Sequence, residues 1–318
     1  MDPVSQWGVI FDELYGEETP AADPTFNVSG WRSTTTGEPL PEAEMREWLD
    51  DTVSRILSLE PRRVLSVLEI GCGTGLILFR VAPRCTSYLG TDISARALAS
   101  VQTHLASLPQ VRLERRPADR FDGIADGSLD LVILNSVVQY FPELEYLERV
   151  LTRAVRAVRP GGAIFLGDLR SRSLLPAFYA WVEQARAGGD LPPEELAARV
   201  RERARRETEL AVDPDFFAAL QERLPAIGRI DVHPKRCRAR NELTLFRYQV
   251  VLRIGEAEDR SREVRWVEGL EEAAEGVVGM KGPHPRPSPS SPHSPAGRGE
   301  TRSQEEAVLA FLPSPGDR

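Results

Sequence analysis

At 318 residues the chain has room for one sizeable α/β domain with appendages, or for two modest domains. Its 41% hydrophobic and 28% charged residues are those of an ordinary globular protein, and a net charge of −8 argues against nucleic acid as the partner. No apolar run reaches the roughly 20 residues of a membrane-spanning helix, so no membrane association is expected.

The opening MDPVSQWGVIFDELYG carries acids early and lacks the basic and apolar regions of a secretory signal. Cys72, Cys85 and Cys237 are odd in number and widely spaced. They make neither a disulfide framework nor a metal ladder, and a cytoplasmic protein without a metal is expected.

Along the chain, Pro41 to Leu57 sets Met45, Trp48, Leu49, Val53 and Ile56 at helical spacing. From Val64, VLSVLEI and SYLGTDI read as strands, each followed by a helix-compatible stretch. VRLERRPA fits a shorter strand, and SLDLVILNS and GAIFLGD two more, with helical patterns from Glu143 to Val158 and Leu174 to Ala187. Strands alternating with helices predict a doubly wound, mostly parallel sheet. RPGG, Arg159 to Gly162, reads as the close of a helix and the turn into the next strand. Pro193 to Glu209 reads as a solvated helix laced with ion pairs. IGRIDVHPKRC and ELTLFRYQVVLRI form an antiparallel hairpin at one edge. Lys281 onward is crowded with Pro and Ser and is expected to be disordered. The expected organisation is an N-terminal cap over 1–60, a core over 61–255, a linker helix over 256–280 and a tail over 281–318.

In EIGCGTG a strand gives way to a helix. Without Cβ atoms, Gly71, Gly73 and Gly75 let a ligand lie against the backbone. The dinucleotide fingerprint G-x-G-x-x-G fails because its third glycine position is Leu76, and no Gly-Lys-Ser/Thr follows for a P-loop. Glu69 is expected to point its carboxylate into the same crevice, and Asp92, ending the next strand, to accept from both hydroxyls of a ribose. An adenosine-type ligand with positive charge and no phosphates fits; S-adenosylmethionine meets that description and NAD does not. A glycine-rich turn without a ligand is the plain structural reading.

VLEIGCGTG, GTDIS, DLVILNSVVQYFP and VRPGGAIFLGDLR resemble the successive motifs of class I S-adenosylmethionine-dependent methyltransferases. FNVSGWRSTTTGEPLPEAEMREWLDDTV, NSVVQYFP and RARNELTLFRYQVVLRIG resemble, more specifically, the N-methyltransferase domains of nonribosomal peptide synthetases, over roughly Trp7 to Gly255. The resemblance implies a Rossmann-like, seven-stranded sheet with an antiparallel C-terminal hairpin and an N-terminal helical cap. It implies that Glu69, Gly71, Gly73 and Gly75 line the methionine moiety, Asp92 the ribose and Asp119 the adenine, with Asn135 facing the cofactor. From the cap it offers Tyr15 and Trp31, for which packing on the core is the plain alternative. The chain departs from the pattern in PRRVLSVLEIG, which carries three extra residues, and in having no adenylation-like or carrier-like stretch beside it. It therefore reads as a stand-alone enzyme acting in trans or as a fragment of an assembly line.

The expected reaction is direct N-methylation of an aminoacyl or peptidyl intermediate, free or tethered to a carrier protein. The alternatives are O- or C-methylation of another small natural product, and a cofactor-binding scaffold without activity. An acceptor amine of pKa about 8 needs only a modest hydrogen-bond acceptor. His104 and His233 are expected to be structural. Tyr140, Glu242 and Asn135 are the catalytic candidates, with Gln139, Asp168 and Arg170 beside them at strand ends; capping, turn or ion-pair roles compete for each. Lys235, Arg236, Arg238 and Arg240 form either a docking patch for an acidic carrier protein or a solvated hairpin face.

Overall fold

A computed structural model of the chain describes residues 3–15, 23–59, 65–189, 191–255 and 265–266. In chain order the elements are α1 (Pro3–Leu14), α2 (Glu42–Ser58), β1 (Leu65–Ile70), α3 (Leu78–Val81), β2 (Cys85–Asp92), α4 (Ala95–Gln102), β3 (Val111–Arg115) and β4 (Leu129–Asn135). There follow α5 (Leu144–Ala157), β5 (Val158–Arg170), α6 (Leu175–Ala187), α7 (Pro193–Arg205), α8 (Pro214–Arg223), β6 (Ile227–Pro234), α9 (Glu242–Leu245), β7 (Arg247–Ile254) and β8 (Arg265–Trp266).

The strands form one sheet in the order β3-β2-β1-β4-β5-β7-β6-β8. Among the described strands β7 alone runs antiparallel to its neighbours, lying between β5 and β6. The first seven strands reproduce the expected doubly wound sheet and its antiparallel C-terminal pair. β8 is an addition: it pairs parallel with β6, and it falls in the stretch expected to be a linker helix. The tail over 281–318 lies outside the described residues, whereas the repeated Val-Leu of PRRVLSVLEIG runs into β1, whose register with β2 shifts between Leu65 and Ser66.

Strand alternation feeds two cores, one on each face. Val67, Leu131, Ile133, Ala163, Phe165 and Val251 meet Met45, Trp48, Leu49 and Ile56 of α2. Leu68, Ile70, Val132, Leu134, Ile164, Leu166, Val250 and Leu252 meet Leu147, Val150, Leu151 and Ala154 of α5. β4, buried along all seven residues, is the apolar run that a central parallel strand requires. α2 carries Glu42 and Glu44 in its first turn and Arg55 in its last, each sign matching the helix dipole.

RPGG does not close a helix. α5 ends at Ala157, and β5 begins at once with an extended Val158. The glycines serve the sheet instead: Gly161 has φ +81°, and a Cβ on Gly162 would lie 2.6 Å from the Asp130 carbonyl on β4.

Two compact units are distinguished. The larger holds the sheet with α1 to α5, α8 and α9. Among the described residues the smaller consists of 33–38 and 173–208, with α6 and α7. Within the smaller unit Glu183 of α6 takes Arg199 and Arg203 of α7, and Arg186 donates to the Thr34 carbonyl at 2.6 Å. α7 shows the expected Glu195–Arg199 pair but also buries Leu196 and Val200, so one stripe is core.

Candidate active site

β1 ends at Ile70 and the chain turns through Gly71, Gly73 and Gly75, with φ of +74°, +49° and +83°. The N–H groups of Gly71 and Cys72 donate to the Thr91 carbonyl at 2.8 and 3.0 Å, holding the turn against the end of β2. A Cβ on Gly71 would stand 2.7 Å from Val137, whereas one on Gly73 would meet only the Tyr15 hydroxyl, at 3.3 Å. The loop's open side is therefore at Gly73, under Tyr15.

Asp92 stands beside that opening. Its Oδ2 accepts from Gly73 N–H and its Oδ1 from Ser94 N–H, both at 2.8 Å. Burial raises its pKa, and those backbone donors oppose the rise. Ile93 N–H is a third backbone donor, and of the roughly four acceptor positions of a carboxylate one remains for a ribose hydroxyl. Ser94 caps α4 by accepting from Ala97 N–H and donates to Asp12 of α1 at 2.6 Å.

Glu69 departs from expectation. Its Oε2 accepts from the Tyr88 hydroxyl at 2.6 Å beneath the loop, so the carboxyl is buried in the sheet rather than open in the crevice. Burial pushes its pKa up to about 8, with Asp92 adding to the rise and Tyr88 opposing it. Tyr88 was not singled out from the sequence; the period-two alternation of β2 is the signal that places it on the face shared with Glu69.

Asp119, in the loop after β3, exchanges hydrogen bonds with Tyr146: its N–H donates to the hydroxyl, which donates to Oδ1 at 3.2 Å. Trp31 packs 4.9 Å from Trp48. Trp7 and Phe11 on α1 and Tyr15 just past its end recur at one-turn spacing, and Trp7 and Phe11 pack 4.7 and 5.0 Å from Tyr140. Tyr140 is thus an aromatic partner of α1, and burial raises its phenol.

A second group lies at the carboxyl ends of β4 and β5. Ser136 and Asp168 are the only non-glycine residues with left-handed backbone among the described residues, at φ +55° and +61°. Asp168 is wholly buried and accepts from Trp48 Nε1 at 3.2 Å, Ser136 Oγ at 2.8 Å and Arg247 Nη1. Burial would push its carboxyl up, but Arg247, Lys235, Ser136 and Trp48 together hold it below the usual carboxylate range. An ionised Asp168 obliges Ser136 to donate to it, so the Ser136 oxygen accepts from Asn135 Nδ2 at 3.0 Å. Asn135 Oδ1 is then left buried without a partner, against Gly167.

The remaining candidates are less central. Glu242 does not open the final strand; it is buried at the start of α9, which Asn241 caps in a reciprocal pair with Thr244. Arg170 pairs with Glu209 at 2.7 Å, and the Gln139 carbonyl accepts from Leu210 N–H. His104 is exposed beyond α4. Half-buried on β6, His233 is pushed down to about 4 by burial and by Arg55, and is neutral near pH 7. Lys235 leaves the basic patch: it is buried, donating to Thr52 Oγ1 at 2.9 Å and lying 4.9 Å over Trp48. Arg236, Arg238 and Arg240 stay exposed. Among the described residues no helix is long and apolar enough to cross a membrane, and no cluster of His, Cys, Asp or Glu is arranged to hold a metal.

The crevice fits S-adenosylmethionine. It offers left-handed glycines for close approach and the Asp92 carboxyl, whose charged neighbour Asp12 is another acid. Such a donor set favours a cation and disfavours a pyrophosphate.

A sequence model of the family described as "Methyltransferase domain" matches residues 68–164. The chondramide synthase of Chondromyces crocatus is 46% identical over 274 residues, which is 85% of this chain and 7% of that protein. The beauvericin nonribosomal cyclodepsipeptide synthetase of Beauveria bassiana is 36% identical over 270 residues, 82% of this chain and 8% of that protein. The chain thus spans less than a tenth of these relatives. The N-methyltransferase NodS from Bradyrhizobium japonicum, solved with S-adenosyl-L-homocysteine, aligns with TM-score 0.47 and 15% identity, over 79% of this chain and 98% of its own. Residues 68–164 are thus a methyltransferase domain on a sheet of the class I order, in a chain similar in sequence to segments of nonribosomal peptide synthetases.

Proposed function

We propose that the chain N-methylates the amine of an aminoacyl or peptidyl group held as a thioester during nonribosomal peptide assembly. The observation that carries this reading is the extent of the kinship. The methyltransferase family model stops at residue 164, whereas identity with chondramide synthase runs over 85% of the chain and so takes in the acceptor-side segments.

When bound, S-adenosylmethionine supplies an activated sulfonium methyl that needs no covalent nucleophile. Gly71, Gly73 and Gly75, with Glu69 beneath them supporting the loop, would hold its methionine end, Asp92 its ribose and Asp119 its adenine. Tyr15 would cover it from just past the end of α1. Asn135 borders the acceptor side, where Tyr140 and the α1 aromatics exclude water. Holding the amine in line is worth several kcal/mol through proximity alone. The exposed Arg236, Arg238 and Arg240 suit an acidic carrier that delivers the thioester.

The test is to incubate the protein with S-adenosylmethionine and a panel of aminoacyl N-acetylcysteamine thioesters, and to locate the methyl by mass spectrometry and NMR. Methyl on nitrogen is the expected product. Methyl on oxygen or carbon would place the enzyme among other natural-product methyltransferases. Cofactor binding without turnover would make the chain a scaffold.

A further inference from the structure

The buried cluster around Asp168 has a cation that the methyl-donor site does not use. Asp168 faces Arg247 and Lys235, and Lys235 also feels Asp51 and is already committed to Thr52 and to the Trp48 ring. Arg247 opens β7 opposite Arg170, and because β7 is antiparallel this places it at the end of the sheet where β4 and β5 finish. Its side chain keeps 17% exposure, whereas Asp168 keeps none. Of the two, Arg247 is the one a ligand can reach.

A guanidinium presents five N–H donors in a planar fork. Asp168 takes Nη1, and the other donors have no protein partner among the described residues. Aiming the fork this way has required unusual backbone. The β5–β7 register breaks between Leu166 and Leu169, and Asp168 and Ser136 both take the left-handed conformation, which strains a residue with a Cβ. Trp48 and Ser136 then fix both carboxylate oxygens. A carboxylate held so firmly, with no access to ligand, acts by holding its partner.

We propose that Arg247 receives the acyl oxygen of the acceptor, the carbonyl that adjoins its amine, and that Asp168 is the positioning residue that aims it. The assignment rests on the proposed aminoacyl acceptor and extends it: the enzyme reads the acyl group as well as the nitrogen. It therefore selects α-aminoacyl groups over plain amines. A lysine in place of Arg247 keeps the charge but loses the planar fork.

The test uses the full chain and two substrates, the aminoacyl N-acetylcysteamine thioester that wild type turns over best and the amine of the same side chain lacking the acyl group. kcat and KM are measured for wild type, Arg247→Lys and Asp168→Asn, with S-adenosylhomocysteine affinity and thermal unfolding as controls. In Arg247→Lys, kcat/KM for the thioester is expected to fall about 10–100-fold, chiefly through KM, the loss of one charged hydrogen bond. Turnover of the plain amine and affinity for S-adenosylhomocysteine stay within about threefold of wild type. Asp168→Asn moves the same way, and if it fails to fold, Arg247→Lys carries the test. Equal losses on both amines, or none on either, would overturn the role of Arg247 while leaving N-methylation standing. If wild type binds S-adenosylhomocysteine but turns over neither amine, the proposed reaction falls, and the acyl-oxygen role with it.

Discussion

The backbone N–H of Gly73 donates to the Asp92 carboxylate at 2.8 Å, fastening the open middle of the glycine loop to the end of the neighbouring strand. Loop shape and the acid that is to hold the ribose are therefore one device. The three glycines differ within it. Gly71→Ala would add strain at φ +74° and a contact of 2.7 Å with Val137, together about 2–5 kcal/mol of destabilisation. Gly73→Ala meets only the Tyr15 hydroxyl and should cost about 1–2 kcal/mol, yet puts a methyl where the cofactor approaches. Urea denaturation and S-adenosylhomocysteine titration should show Gly71→Ala losing more stability and Gly73→Ala losing more affinity per kcal/mol of stability lost. The reverse order would mean that the ligand does not lie over Gly73.

Glu69 gives a pH signature. Its folded pKa of about 8 exceeds the ordinary carboxyl value of 4.5, so between these values the folded state binds more protons than the unfolded state. The contribution is fully present below pH about 4.5 and is lost as pH rises through about 8. Glu69→Gln, neutral throughout, removes it. Without cofactor, the stability of the Gln variant relative to wild type should rise between pH about 5 and 9, by at most a few kcal/mol. Parallel curves would show that burial does not hold this carboxyl protonated.

Tyr140 separates packing from chemistry. Its ring meets Trp7 and Phe11, so Tyr140→Phe should keep α1 in place while Tyr140→Ala should release it. Hydrogen exchange of the α1 amides is expected to rise at least about tenfold in the Ala variant only, corresponding to more than 1 kcal/mol of lost docking. If Phe loses turnover with α1 still protected, the hydroxyl takes part in the transfer.

The arginine patch is tested apart from the chemistry. Replacing Arg236, Arg238 and Arg240 with glutamate should leave kcat/KM for a small thioester within about twofold. With a carrier-bound substrate it should fall by about tenfold or more at low salt, as expected for reversed steering charge. Lys235 is excluded from the set because it is buried. Unchanged turnover on the carrier would leave the patch as a solvated hairpin face.

Much of this was legible in the residues. Period-two runs and their intervening helices gave the sheet, and EIGCGTG with the acid two strand-lengths on gave the crevice. What escaped depended on tertiary pairing. Glu69 was read as an open carboxylate because nothing local shows that Tyr88 reaches it from the next strand. Lys235 was read as surface charge because the sequence cannot show Thr52 and Trp48 of α2 waiting for it. The Asp168–Arg247 pair joins residues 79 apart, and the left-handed backbone at Asp168 has no glycine to announce it. RPGG was misassigned because glycine marks a helix end and a tight strand approach alike.

The most direct measurement is calorimetric titration of S-adenosylmethionine into wild type and Asp92→Ala. Saturable binding to wild type, weakened by about tenfold or more when the carboxylate that holds Gly73 and awaits the ribose is removed, is the predicted result. Equal affinity of the two proteins, or no binding by folded wild type, would contradict the placement of the cofactor at this loop.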